Sequence, residues 1–387
     1  MIKAATIYTL EMDDGDAALD ELRAQLDEKI TLQAHSVGII QCRYDFVESG
    51  VVETVCKGLP FPVVGMTSTG QVVNGMASEF MLSIMVLTGD DVSFETAHTT
   101  GHADDFEGSI AKSLPARDDV PKLAIIFPAI QNAVSGDRYC EAFISHWGAV
   151  PVFGSYAIED GELDNMRFAT LCNGESFTDE LTYIAVYGNV NPKFHIMTAT
   201  SSVEMYSMGL ITKADGNVLR ELNGLRAMEY FEREGFAHDG VMREGIHLML
   251  YKLVMPNINE TDEDSFARAV VGFDDEGSAI FRGEVYEGAH LFIGNKNVSD
   301  IMEASKQFVD KLNAIEGANA VLVFSCIVHH IFLAATPELE LQTACERMRD
   351  EVPFMGAYSG GEICPTSTTA GGATNRYHNF SFVACTL

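Results

Sequence analysis

Val352-Pro353-Phe354-Met355-Gly356-Ala357-Tyr358-Ser359-Gly360-Gly361-Glu362-Ile363-Cys364-Pro365, followed shortly by Tyr377-His378-Asn379, reads as a short buried strand that breaks into a glycine-rich loop and ends on a carboxylate. Glycine lacks a Cβ, so Gly356, Gly360 and Gly361 permit positive φ and would let a ligand lie against main-chain N–H groups. An earlier stretch has the same layout. Pro62-Val63-Val64-Gly65-Met66-Thr67-Ser68-Thr69-Gly70-Gln71 keeps its proline and two glycines in register with Pro353, Gly356 and Gly361, and puts Gln71 where Glu362 stands. A third, weaker copy is Pro151-Val152-Phe153-Gly154-Ser155.

Each copy closes the same order of elements. In the first, a strand at Lys3 to Thr9 precedes an amphipathic helix that begins near Asp13 or Asp14 and carries Leu19, Leu22, Leu26 and Ile30 at helical spacing. Strand Val37 to Gln41, a helical segment from Asp45 to Gly58, strand Pro62 to Met66, the loop, and strand Glu79 to Leu87 follow. The second copy has strand Leu123 to Phe127, helix Asp137 to Trp147 and a late strand Leu181 to Tyr187; the third has strand Ala320 to Ser325, a helix from about Pro337 to Asp350, strand Phe354 to Ala357 and strand Asn379 to Thr386. The spans Gln41 to Pro62, Phe127 to Pro151 and Ser325 to Pro353 suit helical crossovers between parallel strands. Three copies predict internal duplication.

Asn189-Val190-Asn191-Pro192 reads as a boundary, giving domains 1–192 and 193–387. Beyond it come strand-like Lys193 to Ser201, Leu210 to Leu222 with a turn at Asp215-Gly216, and a helix from Leu225 to Glu234. Strands at His247 to Val254, Arg268 to Phe273 and Ala279 to Val285, with a hairpin turn over Asp274-Asp275-Glu276-Gly277, lead to an amphipathic helix from Ser299 to Ile315. The fold class is α/β in the broad sense, mixed α+β: strand-helix-strand units building large mixed sheets.

A chain of 387 residues exceeds a typical single core, so two domains are the default. Its 25 Lys plus Arg against 56 Asp plus Glu give a formal charge of −31. Such a surface repels phosphate backbones and anionic lipid heads, which argues against nucleic-acid and membrane-surface roles. The eight cysteines show no Cys-x-x-Cys spacing, as expected of reduced thiols in a cytoplasmic protein. Met1-Ile2-Lys3-Ala4-Ala5 lacks the order of a signal peptide, and apolar runs such as Ala320 to Phe324 fall far short of the ~20 residues of a membrane span.

These motifs together resemble the FIST proteins, sensory proteins with an N-terminal and a C-terminal FIST domain, here 1–192 and 193–387. Ala320-Val321-Leu322-Val323-Phe324-Ser325-Cys326 is similar to the family's apolar strand ending in Phe-Ser-Cys. Pro353, Gly356, Tyr358, Ser359, Gly361, Glu362, Ile363 and Pro365 match its Pro-x-x-Gly-x-Tyr-Ser-x-Gly-Glu-Ile-x-Pro loop, and His378-Asn379 its closing His-Asn. Gly224-Leu225-Arg226-Ala227-Met228-Glu229-Tyr230 resembles the stretch that opens the C-terminal domain. In the first half, Val64 to Gln71 resembles the Gly-Cys-Ser-Thr-Ala-Gly-Glu loop, and Val152 to Asp160 the Gly-Gly-x-Ala-x-Asp-Asp segment. His329 stands where the family usually has Arg; Gln71 replaces an acidic residue and Ser155 a glycine. The resemblance implies a cytoplasmic sensor of a small polar ligand, such as an amino acid or derivative, that signals through a partner of kinase, cyclase or chemoreceptor type. It also implies an alternative, haem-based nitric oxide sensing.

The residue types fit ligand binding. Glu362 at the end of a glycine loop could hold an amino group while loop N–H groups hold a carboxylate. Gly65, Thr67, Ser68, Thr69, Gly70, Gln71, Ser155, Tyr358, Ser359, Gly361, His378 and Asn379 complete the candidate pocket, with hydroxyls that would otherwise read as turn residues. Cys326, with His329 and His330 nearby, suggests a Cys-His nucleophile acting on a small metabolite, or else a buried strand end. His329, His330 and His378 are the candidate axial ligands if haem is bound, although no cofactor is required. Walker, dinucleotide, Gly-x-Ser-x-Gly and His-Glu-x-x-His motifs are missing, so no enzyme activity is expected.

Overall fold

The computed structural model describes residues 2–387 except 101–104, 130–133, 159–166, 199–203, 240, 243–249, 256–264, 296, 334–335, 337 and 368–372. Glu159, Asp160, Pro337 and the first residues of the strand expected from His247 therefore lie outside the described residues.

The chain repeats one unit three times. Unit one runs β1 (Lys3–Thr9), α1 (Gly15–Lys29), β2 (His35–Cys42), α2 (Asp45–Glu48), α3 (Val51–Gly58), β3 (Val63–Thr67), β4 (Gln71–Val73), β5 (Met76–Ser78) and β6 (Leu82–Gly89). Unit two runs β7 (Val92–His98), α4 (Phe106–Ser113), β8 (Leu123–Pro128), α5 (Gly136–Trp147), β9 (Val152–Ser155), β10 (Thr170–Cys172), β11 (Glu175–Phe177) and β12 (Leu181–Gly188). Unit three opens with β13 (Lys193–Thr198) and is interrupted by β14 (Glu204–Asp215), β15 (Val218–Leu222), β16 (Leu225–Arg226), α6 (Ala227–Arg233), β17 (Ala237–His238), β18 (Val241–Met242), β19 (Leu250–Val254), β20 (Ser265–Arg268), β21 (Val270–Phe273), β22 (Ala279–Phe281) and β23 (His290–Asn295). It resumes with α7 (Val298–Asn313), β24 (Val321–Cys326), α8 (Ile327–Phe332), α9 (Leu339–Arg347), β25 (Phe354–Ser359), β26 (Glu362–Ser367), β27 (Ala373–His378) and β28 (Ser381–Thr386).

Local chemistry explains the boundaries. Asp14 caps α1 by accepting from the amides of Asp16 and Ala17, and Leu19, Leu22 and Leu26 form its buried stripe. The single segment expected from Asp45 to Gly58 is two helices, because Gly50 turns the chain at φ 82° between them. The last strand starts at Ser381, two residues later than expected, since Phe380 sits at φ 53° in the preceding turn. The expected Arg268 to Phe273 strand is likewise split between β20 and β21.

Three six-stranded sheets have one order: β1-β6-β2-β3-β10-β11, β7-β12-β8-β9-β26-β27 and β13-β28-β24-β25-β4-β5. In each, the central pair is parallel and joined through helices, as the loop spacing predicts. The outer hairpin is always borrowed. Unit two supplies β10–β11 to sheet one, unit three supplies β26–β27 to sheet two, and unit one supplies β4–β5 to sheet three. Strands from both sides of residue 192 thus share sheets two and three.

Gly65, Gly154 and Gly356 lie inside strands, the first and last in those expected at Pro62 to Met66 and Phe354 to Ala357, and Gly356 does not take the positive φ its residue type would permit. They face Ile40, Ile126 and Val323 across the three parallel pairs. A Cβ at Gly65 or Gly154 would overlap the carbonyl oxygen of the residue opposite. Close strand approach, more than loop freedom, explains the repeated glycine.

All three sheets turn one face to a common apolar core that includes Val37, Ile39, Ile125, Phe127, Leu322 and Phe324. Their outer faces pack on α1 and α3, on α4 and α5, and on α7 and α9 respectively. The inserted segment forms its own sheet, β20-β19-β23-β14-β15-β22-β21 with β16 beside β15, over a separate core around Tyr230, Phe231 and Tyr251. One buried ion pair ties it to the units. Arg268, fully buried, donates to Asp137 Oδ2 at 2.9 Å, to the Tyr377 carbonyl at 2.8 Å and to the Glu284 carbonyl at 2.9 Å. Among the described residues no helix is long and apolar enough to cross a membrane.

Candidate functional site

The segments that leave β3, β9 and β25 meet one another. The Tyr358 amide donates to the carbonyls of Thr69 and Gly70, both at 3.3 Å, and the Ile158 amide to Thr67 O at 3.1 Å. The Tyr156 amide donates to Gly361 O, and the Gly360 amide to Tyr156 O, each at 3.1 Å. The three segments close a ring of main-chain contacts. Gly70, at φ 62°, carries the Tyr358 ring against its open side, and at Gly361, φ 128°, a Cβ would collide with the Tyr377 ring and hydroxyl.

The structure brings most of the candidate residues to this ring or its rim and buries them. Thr67, Ser68, Thr69, Gln71, Ser155, Tyr358, Ser359 and Glu362 are wholly inaccessible, and Cys326, His378 and Asn379 nearly so. Gln71 and Glu362, expected as loop ends, are the first residues of β4 and β26. Their side chains are held alike: Gln71 Nε2 donates to Ser68 O at 2.8 Å and Ser68 Oγ at 3.1 Å, while Ser359 Oγ donates to Glu362 Oε1 at 2.9 Å. Ser381 Oγ donates to Glu362 Oε2 at 2.6 Å. Burial pushes the Glu362 carboxyl up to about 8 although those hydroxyls work to lower it. Near neutral pH it is largely protonated, which changes its expected role: it does not present a standing negative charge.

Several of these groups serve the fold. Thr67 Oγ1 accepts from the Ala169 amide at 2.8 Å, Asn379 Oδ1 accepts from the Ala269 amide at 3.2 Å, and Ser155 Oγ lies 3.3 Å from Met66 Sδ. Others are left open. Thr69 Oγ1, Gln71 Oε1, the Tyr156 hydroxyl and His378 Nδ1 are buried with no hydrogen-bond partner among the described residues. His378 donates from Nε2 to Cys364 O at 3.1 Å, and burial lowers its imidazole to about 4, so Nδ1 is a bare acceptor.

The three candidate haem-ligating histidines are each bonded to a different part of the protein. His329 Nδ1 contacts Glu340 Oε1 at 3.0 Å and Ser325 Oγ at 3.3 Å, His330 Nε2 contacts Glu79 Oε1 at 3.3 Å and its ring meets Tyr358 edge-on, and His378 faces β26. Each imidazole has a separate protein partner, and among the described residues no group of three or more His, Cys, Asp or Glu could hold a metal ion. Cys326 is buried, and burial with Glu362 nearby pushes its thiol well up, opposite to what an activated thiolate needs.

Sequence reasoning missed the residues that complete this region. Glu340 accepts from Ser305, and from Ser325 at 2.6 Å, and His329 with these hydroxyls holds its carboxyl below the usual range against the opposing effect of burial. Tyr156 and Ser381 were passed over as well, and so was Thr170, which pairs with Met66 as Glu362 pairs with Ser155 and Gln71 with Ala357. A polar residue next to the end of an apolar strand, as at Gln41 and Ser325, was the available signal.

The sequence matches the FIST N domain over residues 36–225 and the FIST C domain over residues 219–365. No curated protein matches the chain.

Proposed function

The chain belongs to the FIST family, whose domains are signal-transduction sensory domains, and from that membership we propose that it senses a small polar ligand, such as an amino acid or derivative, at the ring formed by the three segments. The observation that carries this reading is the set of open hydrogen-bonding groups at Thr69, Gln71, Tyr156 and His378. Native interiors leave few such groups, and each costs about 1–3 kcal/mol unless water or a ligand completes it. Three units contribute to the ring, so occupancy is felt by all three sheets at once. Binding there would be reported to a separate signalling protein of kinase, cyclase or chemoreceptor type in the cytoplasm, a compartment that suits eight free cysteines.

Isothermal titration of the full chain against a panel of amino acids and small metabolites tests this. At least one compound should bind, and Tyr156→Phe or Thr69→Val should weaken it. A panel without binders, or binding indifferent to both changes, removes the reading.

A further inference from the structure

Gln41 is the next residue after Ile40, which faces Gly65 across the parallel pair of sheet one. The corresponding residues in the other sheets follow Ile126, opposite Gly154, and Val323, opposite Gly356. They are Phe127 and Phe324, both in the common core and packed edge to face at 6.2 Å. The architecture accepts a large apolar side chain at this position twice. Only sheet one puts an amide there.

That amide is fully buried, and neither its oxygen nor its nitrogen has a partner among the described residues. Exchanging the two atoms, the usual ambiguity for glutamine, leaves the same deficit. Burying both ends of an amide without partners is costly, so the group is retained against the interest of the fold. Its surroundings tie it to the ring. Gln41 pairs with Met66, whose sulfur meets Ser155 Oγ at 3.3 Å, and Ser155 pairs with Glu362. On the other side Cys42 O accepts the Ser68 amide at 2.8 Å, and Ser68 holds the Gln71 side chain. The Ser155 and Ser68 hydroxyls and the Gln71 amide lie along these connections, and burial keeps the Glu362 carboxyl largely protonated at neutral pH.

We propose that Gln41 is the recognition residue of the ring and that it pairs, donor to acceptor and acceptor to donor, with an uncharged carboxamide or urea group of the ligand. This rests on the reading of the ring as a ligand site and narrows its ligand class. A carboxylate in the same place would accept from Nε2 but oppose Oε1, and its desolvation would be costly.

The test is titration of the full chain with matched pairs: glutamine and glutamate, asparagine and aspartate, nicotinamide and nicotinate. The carboxamide of at least one pair should bind about tenfold or more tighter than its acid, the worth of one buried hydrogen bond. Gln41→Met, apolar like its counterparts, should cost about tenfold or more in affinity while leaving the melting temperature unchanged or higher. Acids that bind as tightly as their amides, or affinity indifferent to Gln41→Met, overturn the assignment. If binding then still responds to Tyr156→Phe or Thr69→Val, the ring remains a ligand site and only Gln41 loses its role. If no carboxamide binds and Gln41→Met is simply more stable, water serves the amide and the proposal falls.

Discussion

Gln71 and Glu362 hold the same place in two different sheets. Each opens a borrowed hairpin, each pairs with the residue after a strand glycine, and each is bonded to the serine three residues before it. The two differ in chemistry, since one is an amide with an open oxygen and the other a carboxyl with both oxygens engaged.

Exchanging the two residue types should therefore have unequal effects. Glu362→Gln keeps shape and neutrality, and its cost should stay within about 1 kcal/mol. Gln71→Glu sets a carboxyl oxygen against the Ser68 carbonyl and should cost about 3 kcal/mol. Urea unfolding midpoints read both; equal losses would contradict the neutral state of Glu362.

Stability should depend on pH in a defined window. Glu362 moves from its ordinary 4.5 to about 8 in the folded chain, so its contribution is whole below pH 4.5 and is lost as pH rises through 8. His378 moves from 6.5 to about 4, so its contribution is present above pH 6.5 and is lost as pH falls through 4. Their slopes oppose each other between pH 4.5 and 6.5. From there to pH 8 Glu362 acts without that opposition, and stability should fall by up to about 1.4 kcal/mol per pH unit. Glu362→Gln should flatten that upper window and leave the acid limb in place.

Alanine at the strand glycines should rank by what the new Cβ meets. Gly65→Ala and Gly154→Ala strike backbone carbonyls, which cannot move without parting the strands, and should cost about 3 kcal/mol or more. Gly356→Ala meets a Val323 methyl first, with the carbonyl at 3.1 Å, and should cost less. Thermal denaturation of the three variants gives the order.

Removing one end of the buried tether should be worse than removing both. Arg268→Met strands the Asp137 carboxylate and should destabilise the chain by about 3–5 kcal/mol. Adding Asp137→Asn should restore part of that loss in guanidinium unfolding.

Cys326 should resist iodoacetamide at neutral pH in the native chain and react on unfolding, because burial disfavours its thiolate. Rapid native labelling, mapped by mass spectrometry, would reopen the nucleophile reading.

The three-unit plan was legible because a parallel pair that approaches closely demands glycine at a fixed distance after the crossover, and Gly65, Gly154 and Gly356 obey it. Where the hairpins go was not. β4 is three residues long, and nothing in Gln71 to Val73 says that its partner is Met355 to Ala357 and not its own sheet. Thr170 escaped comparison with Gln71 and Glu362 because the middle unit places a much longer segment between its strand glycine and its hairpin. Glu340 sits in an acidic stretch with Glu338 and Glu346, where composition suggests a solvated face; only tertiary packing reveals it bonded to Ser305, Ser325 and His329.

The borrowed hairpins also set when the nascent polypeptide can finish folding. Once residue 192 has left the ribosome, sheet one has all its strands, yet β4–β5 has nothing to dock on and β9 presents a bare edge. Both wait for β25 and β26, which belong to the last of the three units. Until then the emerging chain carries the kind of open strand edge that invites mispairing and chaperone capture. Emergence of the closing strands of unit three is the event that completes sheets two and three.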